Sequence, residues 1–221
     1  MRTRSDGGAR SALVVAVART VPWRAVGAGA VVGLLVVGVP RLSTTLDEWL
    51  GLNLLRAAAL VFALGLTFLL DDPAREITSP VPTRRWSRTG LRVALVAPVA
   101  ALWWTAVLLL VPAQARPPVG AITLEAATTA ALALAAAAVA LRFTDEPEPG
   151  PSVAAALLTL AVLAPALLPT RWDLFVAPGD PAWGPAHTRW AVLLGCAVLL
   201  WVVCGPEPLR PLGRARGGPV R

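Results

Sequence analysis

Arg56 and Glu125 each stand inside a long apolar run of this 221-residue chain. A charged side chain at the centre of a bilayer costs about 2.5–3.5 kcal/mol on insertion scales when left alone. Counted inward from the outer boundaries of their runs, both lie roughly 9–11 Å deep at 1.5 Å per residue. Opposite charges at matched depth point to a guanidinium–carboxylate pair. Three readings stand: an ion pair that locks two helices, an arginine that snorkels to the surface, and a polar element of a substrate path. The single histidine, His187, falls in a polar stretch expected to be an external loop and has no nucleophile assigned to it, so it reads as a solvated loop residue. Cys196 and Cys204 are about 12 Å apart along one helix, too far for a disulfide, and read as core packing. No CxxC pair and no GxxxxGK[ST] loop occurs. The chain therefore carries no recognisable catalytic set, metal site or nucleotide cradle, and the expectation is a non-enzyme without a cofactor.

A second group of charges lies between two apolar runs. Asp71 and Asp72 follow the second run, then come Pro73, Arg75, Glu76, Pro80, Pro82, Arg84, Arg85 and Trp86, then Arg92 at the entry to the third run. A carboxylate pair at a helix end, a proline-stiffened connection and a basic re-entry segment make a shaped loop. Asp71, Asp72, Arg84 and Arg85 are the candidate partner-binding residues. The plainer reading is a membrane-flanking loop that follows the charge rule.

The elements that hold these residues follow from composition. Hydrophobic residues make up 56% of the chain and charged ones only 15%, too little charge to cover a soluble domain of this size. Mean hydropathy is +0.66. Apolar runs recur at residues 23–39, 49–70, 93–111, 119–141, 152–168 and 190–205. Lipid cannot satisfy exposed backbone groups, and these runs are too long for barrel strands, so they are helices. The expected fold is all-α: one polytopic transmembrane bundle of about six helices over residues 1–221. Residues 11–18 form an interfacial elbow helix within a cytoplasmic or interfacial 1–22, and 206–221 form a cytoplasmic tail. A cleavable signal peptide competes for the first run, but Gly38-Val39-Pro40 is a poor cleavage site. Gly29-xxx-Gly33 permits close helix approach, within the chain or between copies.

All 20 basic residues are Arg. With both termini in the cytoplasm, 15 of them fall in inner segments and four (Arg41, Arg116, Arg171, Arg189) in outer ones, with Arg56 within a span. That asymmetry sets the orientation in the cell membrane. It also accounts for the net charge of +7 without nucleic acid, since no basic stripe with interleaved aromatics exists.

Residues 60–110, with the Asp71-Asp72-Pro73-Ala74 stretch, the proline- and arginine-rich segment and a third run bearing Trp103 and Trp104, resemble small actinobacterial permease subunits of ABC transporters. The resemblance implies a type-2 export permease: six helices, an N-terminal elbow matching residues 11–18, a separately encoded ATPase docking on the cytoplasmic face, and a homo- or heterodimeric pore. The chain departs from larger members in having no large external loop and no fused ATPase. The competing expectation is a non-transporting scaffold or accessory protein of a membrane complex.

Overall fold

The computed structural model describes residues 15, 17–43, 45–71, 85–144, 148–169 and 172–205. Among these there is no strand, and six helices run alternately up and down: α1 Trp23–Ser43, α2 Glu48–Leu66, α3 Arg85–Leu110, α4 Val119–Phe143, α5 Gly150–Leu167 and α6 Trp183–Cys204. A 3-10 turn over Thr67–Leu70 extends α2. Each of the six is long and apolar enough to cross a bilayer. Large apolar side chains stay on the outside of the bundle, Leu42, Leu102, Leu109, Leu160, Leu167 and Leu199 among them, as expected of surfaces that face acyl chains. The alternation gives the bundle two ends, one at Trp49 and one at Asp71.

Local sequence sets the helix boundaries. Asp47 caps α2, its Oδ1 accepting from the Leu50 N–H at 2.7 Å, and Glu48 adds negative charge to the first turn. Pro118 precedes α4, and Pro149 and Pro151 bracket the start of α5, where a missing N–H costs nothing. Two boundaries differ from the sequence expectation by seven residues or more. The third helix begins at Arg85 and not at residue 93, because Thr89 to Arg92 continue the helix before the apolar run starts. The sixth begins at Trp183, seven residues before the expected 190. Pro185 falls in the first turn, where proline is tolerated, so the polar stretch around His187 is helical and not an external loop. Residues 17–20 are helical, while the rest of the expected elbow, apart from Val15, lies outside the described residues.

Helices α1, α2, α4 and α6 form the packed body, with α1 against α2, α2 against α4 and α4 against α6. Close approach comes from small residues. A Cβ on Gly29 would meet the Val61 carbonyl at 3.0 Å, and one on Gly65 the Ala25 carbonyl at 2.8 Å, so α1 and α2 touch backbone to backbone. Gly33 makes room for the Trp103 indole, whose Nε1 donates to the Ala30 carbonyl at 2.9 Å and whose ring stacks on Phe62 at 4.2 Å. The Gly29-xxx-Gly33 face is thus consumed within the chain. Ala133, Ala137 and Ala138 are buried, which lets α4 sit deep in the body. Cys204 is buried but Cys196 is exposed, because eight residues at 100° each leave the two about 80° apart around the helix. Core packing therefore describes only Cys204.

Helix α5 is the outlier. Its buried residues are confined to Gly150, Val153 and Leu157, all in its first half. The beginning is held at the Asp71 end: Asp71 Oδ1 accepts from the Gly150 N–H at 3.0 Å, and Thr67 Oγ1 lies 3.2 Å from the Gly150 carbonyl. The second half has no buried residue, and a cavity lies between it and the body.

Candidate functional site: a buried charge cluster beside an apolar cavity

The structure brings Arg56 and Glu125 together. Arg56 lies in the third turn of α2 and Glu125 in the second turn of α4, both on the faces that the two helices turn toward each other near the Trp49 end. Arg56 Nε donates to Glu125 Oε2 at 2.7 Å and Nη2 to Oε1 at 2.9 Å, a bidentate fork. The side chains are 14% and 5% exposed, so neither charge is left to solvent. Nη2 also donates to the Val176 carbonyl at 3.1 Å, and the guanidinium carbon lies 5.6 Å from the centre of the Phe175 ring.

His187 joins them, contrary to its reading as a solvated loop residue. Four residues into α6, it is 13% exposed, with Nε2 3.1 Å from Glu125 Oε1. Nδ1 lies 2.8 Å from the Trp183 carbonyl one helical turn back, and the two rings pack at 4.2 Å. A carbonyl only accepts, so Nδ1 carries a hydrogen. Nε2 is buried and makes no aligned hydrogen bond despite its closeness to the carboxylate, so the two are neighbours without a directed bond. The signal missing from the sequence was the helical phase of α6, which the proline and neighbouring polar residues concealed.

The segment 172–177 roofs this cluster. Arg189 Nη1 donates to the Asp173 carbonyl at 2.8 Å and Trp190 Nε1 to the Leu174 carbonyl at 3.0 Å. The Phe175 ring meets Trp190 edge-on at 5.8 Å. The roof is therefore fixed to the start of α6 and supplies both the Val176 carbonyl and the Phe175 face to Arg56. Below, Thr129 Oγ1 donates to the Glu125 carbonyl at 2.8 Å, and Thr128 Oγ1 donates to the Leu124 carbonyl at 2.7 Å and reaches the Trp190 carbonyl at 3.3 Å.

A cavity of about 590 Å³ lies against the cluster, between α5 and the α2, α4 and α6 body. Arg56, Glu125, Asn53 and Thr129 are the polar side chains in its wall; the rest is apolar and includes Trp49, Leu60, Leu132, Leu157 and Leu168. Its size lies within the roughly 300–1,000 Å³ of small-molecule sites, and its mostly apolar wall with a few converging polar groups is their usual composition. Among the described residues no group of His, Cys, Asp and Glu is arranged to hold a metal ion.

Of the other candidate residues, Asp71 sits at the opposite end. The Asp71 carboxylate is engaged by the α5 backbone, and its carbonyl lies 3.3 Å from Arg92 Nη1. Arg85 is the first residue of α3, and its side chain is not among those described. Asp72 and Arg84 lie outside the described residues. Comparison with protein-family models, with characterised proteins and with solved structures finds no match to this chain.

Proposed function

We propose that the chain is the membrane-spanning permease subunit of an ABC-type export system working with a separately encoded ATPase, with both termini in the cytoplasm of a bacterial cell. The observation that carries this reading is the cavity between helices long and apolar enough to cross a bilayer, with a buried Arg56–Glu125 pair in its wall. Ionisable groups inside a membrane are costly, and they concentrate where a path or binding site uses them. The resemblance of residues 60–110 to ABC permeases supplies the partner class. The Arg distribution favours an orientation with the Asp71 end, and the 71–92 connection, on the ATPase side.

The test is co-purification of the tagged chain with an ATPase bearing a phosphate-binding loop, from cells that express its neighbouring genes. The Arg84→Glu and Arg85→Glu double variant is expected to insert normally and lose most of the ATPase. Equal recovery with that variant removes the 71–92 connection from the coupling role, and no ATPase with either form removes the export reading. A non-transporting scaffold is the second reading. It is favoured by the closure of the cavity at mid-bundle, where Phe62, Leu66 and Ala133 are buried beyond its floor. A scaffold would be recovered with another membrane protein and without nucleotide dependence.

A further inference from the structure

The geometry points to the cavity behind α5 as a binding site for a medium-chain amphiphile with an oxyanion head, of the fatty-acid type. Its dimensions set the size. Trp49 to Leu60 on α2 spans eleven helical steps, about 16 Å, and Leu157 to Leu168 covers a similar length along α5 and its C-cap. That is roughly half of a 30 Å hydrocarbon core, so the occupant belongs to one leaflet. From Glu125 to Leu132 the α4 wall descends about 10 Å toward an apolar floor of Leu60, Leu132 and Leu157, which takes the tail.

The head is set by charge and by free donors. Arg56 uses Nε and Nη2 on Glu125 and on the Val176 carbonyl, while Nη1 has no hydrogen-bond partner among the described residues. Asn53, one turn away on the same cavity-facing side of α2, gives its amide N–H to the Trp49 carbonyl at 2.8 Å and keeps its second N–H for the cavity. Arg56 and Glu125, the charged side chains of the wall, sum to zero, so an oxyanion meets no net repulsion, and Arg56 Nη1 and the second Asn53 N–H give it donors. Both Glu125 oxygens are already engaged by Arg56 Nε and Nη2, so an ammonium head finds no carboxylate without a partner. The sparse packing of the second half of α5 gives a lateral way in from the bilayer.

The site stands whether or not the chain works with an ATPase, and it is tested on the purified chain alone in phosphatidylcholine nanodiscs, so its failure leaves the export reading in place. The probe is cis-parinaric acid, a fluorescent fatty acid excited by energy transfer from Trp49 and Trp190 in the cavity wall. Decanoate is expected to displace it at a concentration at least roughly tenfold below that of decyltrimethylammonium, the ratio that a charge-assisted hydrogen bond supplies. Ala161→Trp, which fills the cavity and leaves every charge in place, is expected to weaken probe binding by roughly tenfold or more. Arg56→Gln with Glu125→Gln is expected to bring the two competitors to near parity. Equal displacement by decanoate and decyltrimethylammonium in the unaltered chain, or an unchanged signal with Ala161→Trp, means the probe is partitioning into lipid and overturns the proposal.

Discussion

Two nitrogens of Arg56 make three hydrogen bonds, and Glu125 receives two of them with only 5% of its side chain exposed. Such a pair is asymmetric under mutation. Removing one partner strands the other charge at a cost of about 3–5 kcal/mol, while replacing both with apolar residues of similar volume is near neutral. Arg56→Met and Glu125→Leu as single changes should each lower the thermal midpoint in detergent markedly, and the double change should recover most of the loss. His187 gives a sharper contrast. Its Nε2 approaches the carboxylate without an aligned bond, so His187→Gln should cost under about 1 kcal/mol, the range of a weakly coupled pair. A loss comparable to that of Arg56→Met would make His187 an equal member of the cluster. The pair itself was legible in the sequence, because two ionisable residues at matched depth in two helices that enter from the same side have few other ways to lower their cost. His187 was not, since a histidine beside a proline, a threonine and an arginine has the composition of a loop, and only the continuous helix from Trp183 turns it inward.

At the scale of elements, close backbone contact and open surface make opposite demands on glycine. A Cβ at Gly51 would overlap the Ala115 carbonyl, and one at Gly65 would lie 2.8 Å from the Ala25 carbonyl. Gly51→Ala and Gly65→Ala should each destabilise by about 1–3 kcal/mol, the usual cost of forcing extra volume into a packed contact. Gly195 in α6 has nothing within 4 Å of the same position, so Gly195→Ala should be neutral or stabilise by up to about 1 kcal/mol through helix propensity. Thermal midpoints of the three variants, compared under one lipid and detergent condition, check the contrast. The six helices were readable from apolar runs alone, because lipid leaves helices as the only way to satisfy so long a backbone. The sparse burial of the second half of α5 was not. It depends on which of two similarly apolar faces finds partners, and hydropathy does not distinguish a face against protein from one against lipid.

For the whole molecule, the Arg asymmetry makes an experimental statement about orientation. Ser5→Cys and Gly218→Cys, each placed in a background with Cys196 and Cys204 replaced, should react with a membrane-impermeant maleimide only after cells are permeabilised. Labelling of either position in intact cells reverses the orientation and with it the side on which an ATPase would dock. Under the proposed orientation the charge cluster and its roof lie toward the outside, and the Asp71–Gly150 contact lies toward the cytoplasm.

That contact makes α5 a lever. Its 18 residues form a rod of about 27 Å, pinned to the end of α2 at Gly150 and sparsely held along its second half. A tilt of about 5° at the pin carries the far tip through about 2 Å, enough to change the width of the cavity mouth without breaking a helical hydrogen bond. A Cβ on Gly150 would meet Asp71 Oδ2 at 2.5 Å and the Phe68 ring at 2.7 Å. A single methyl group at the fulcrum would therefore be felt at the opposite face of the bilayer.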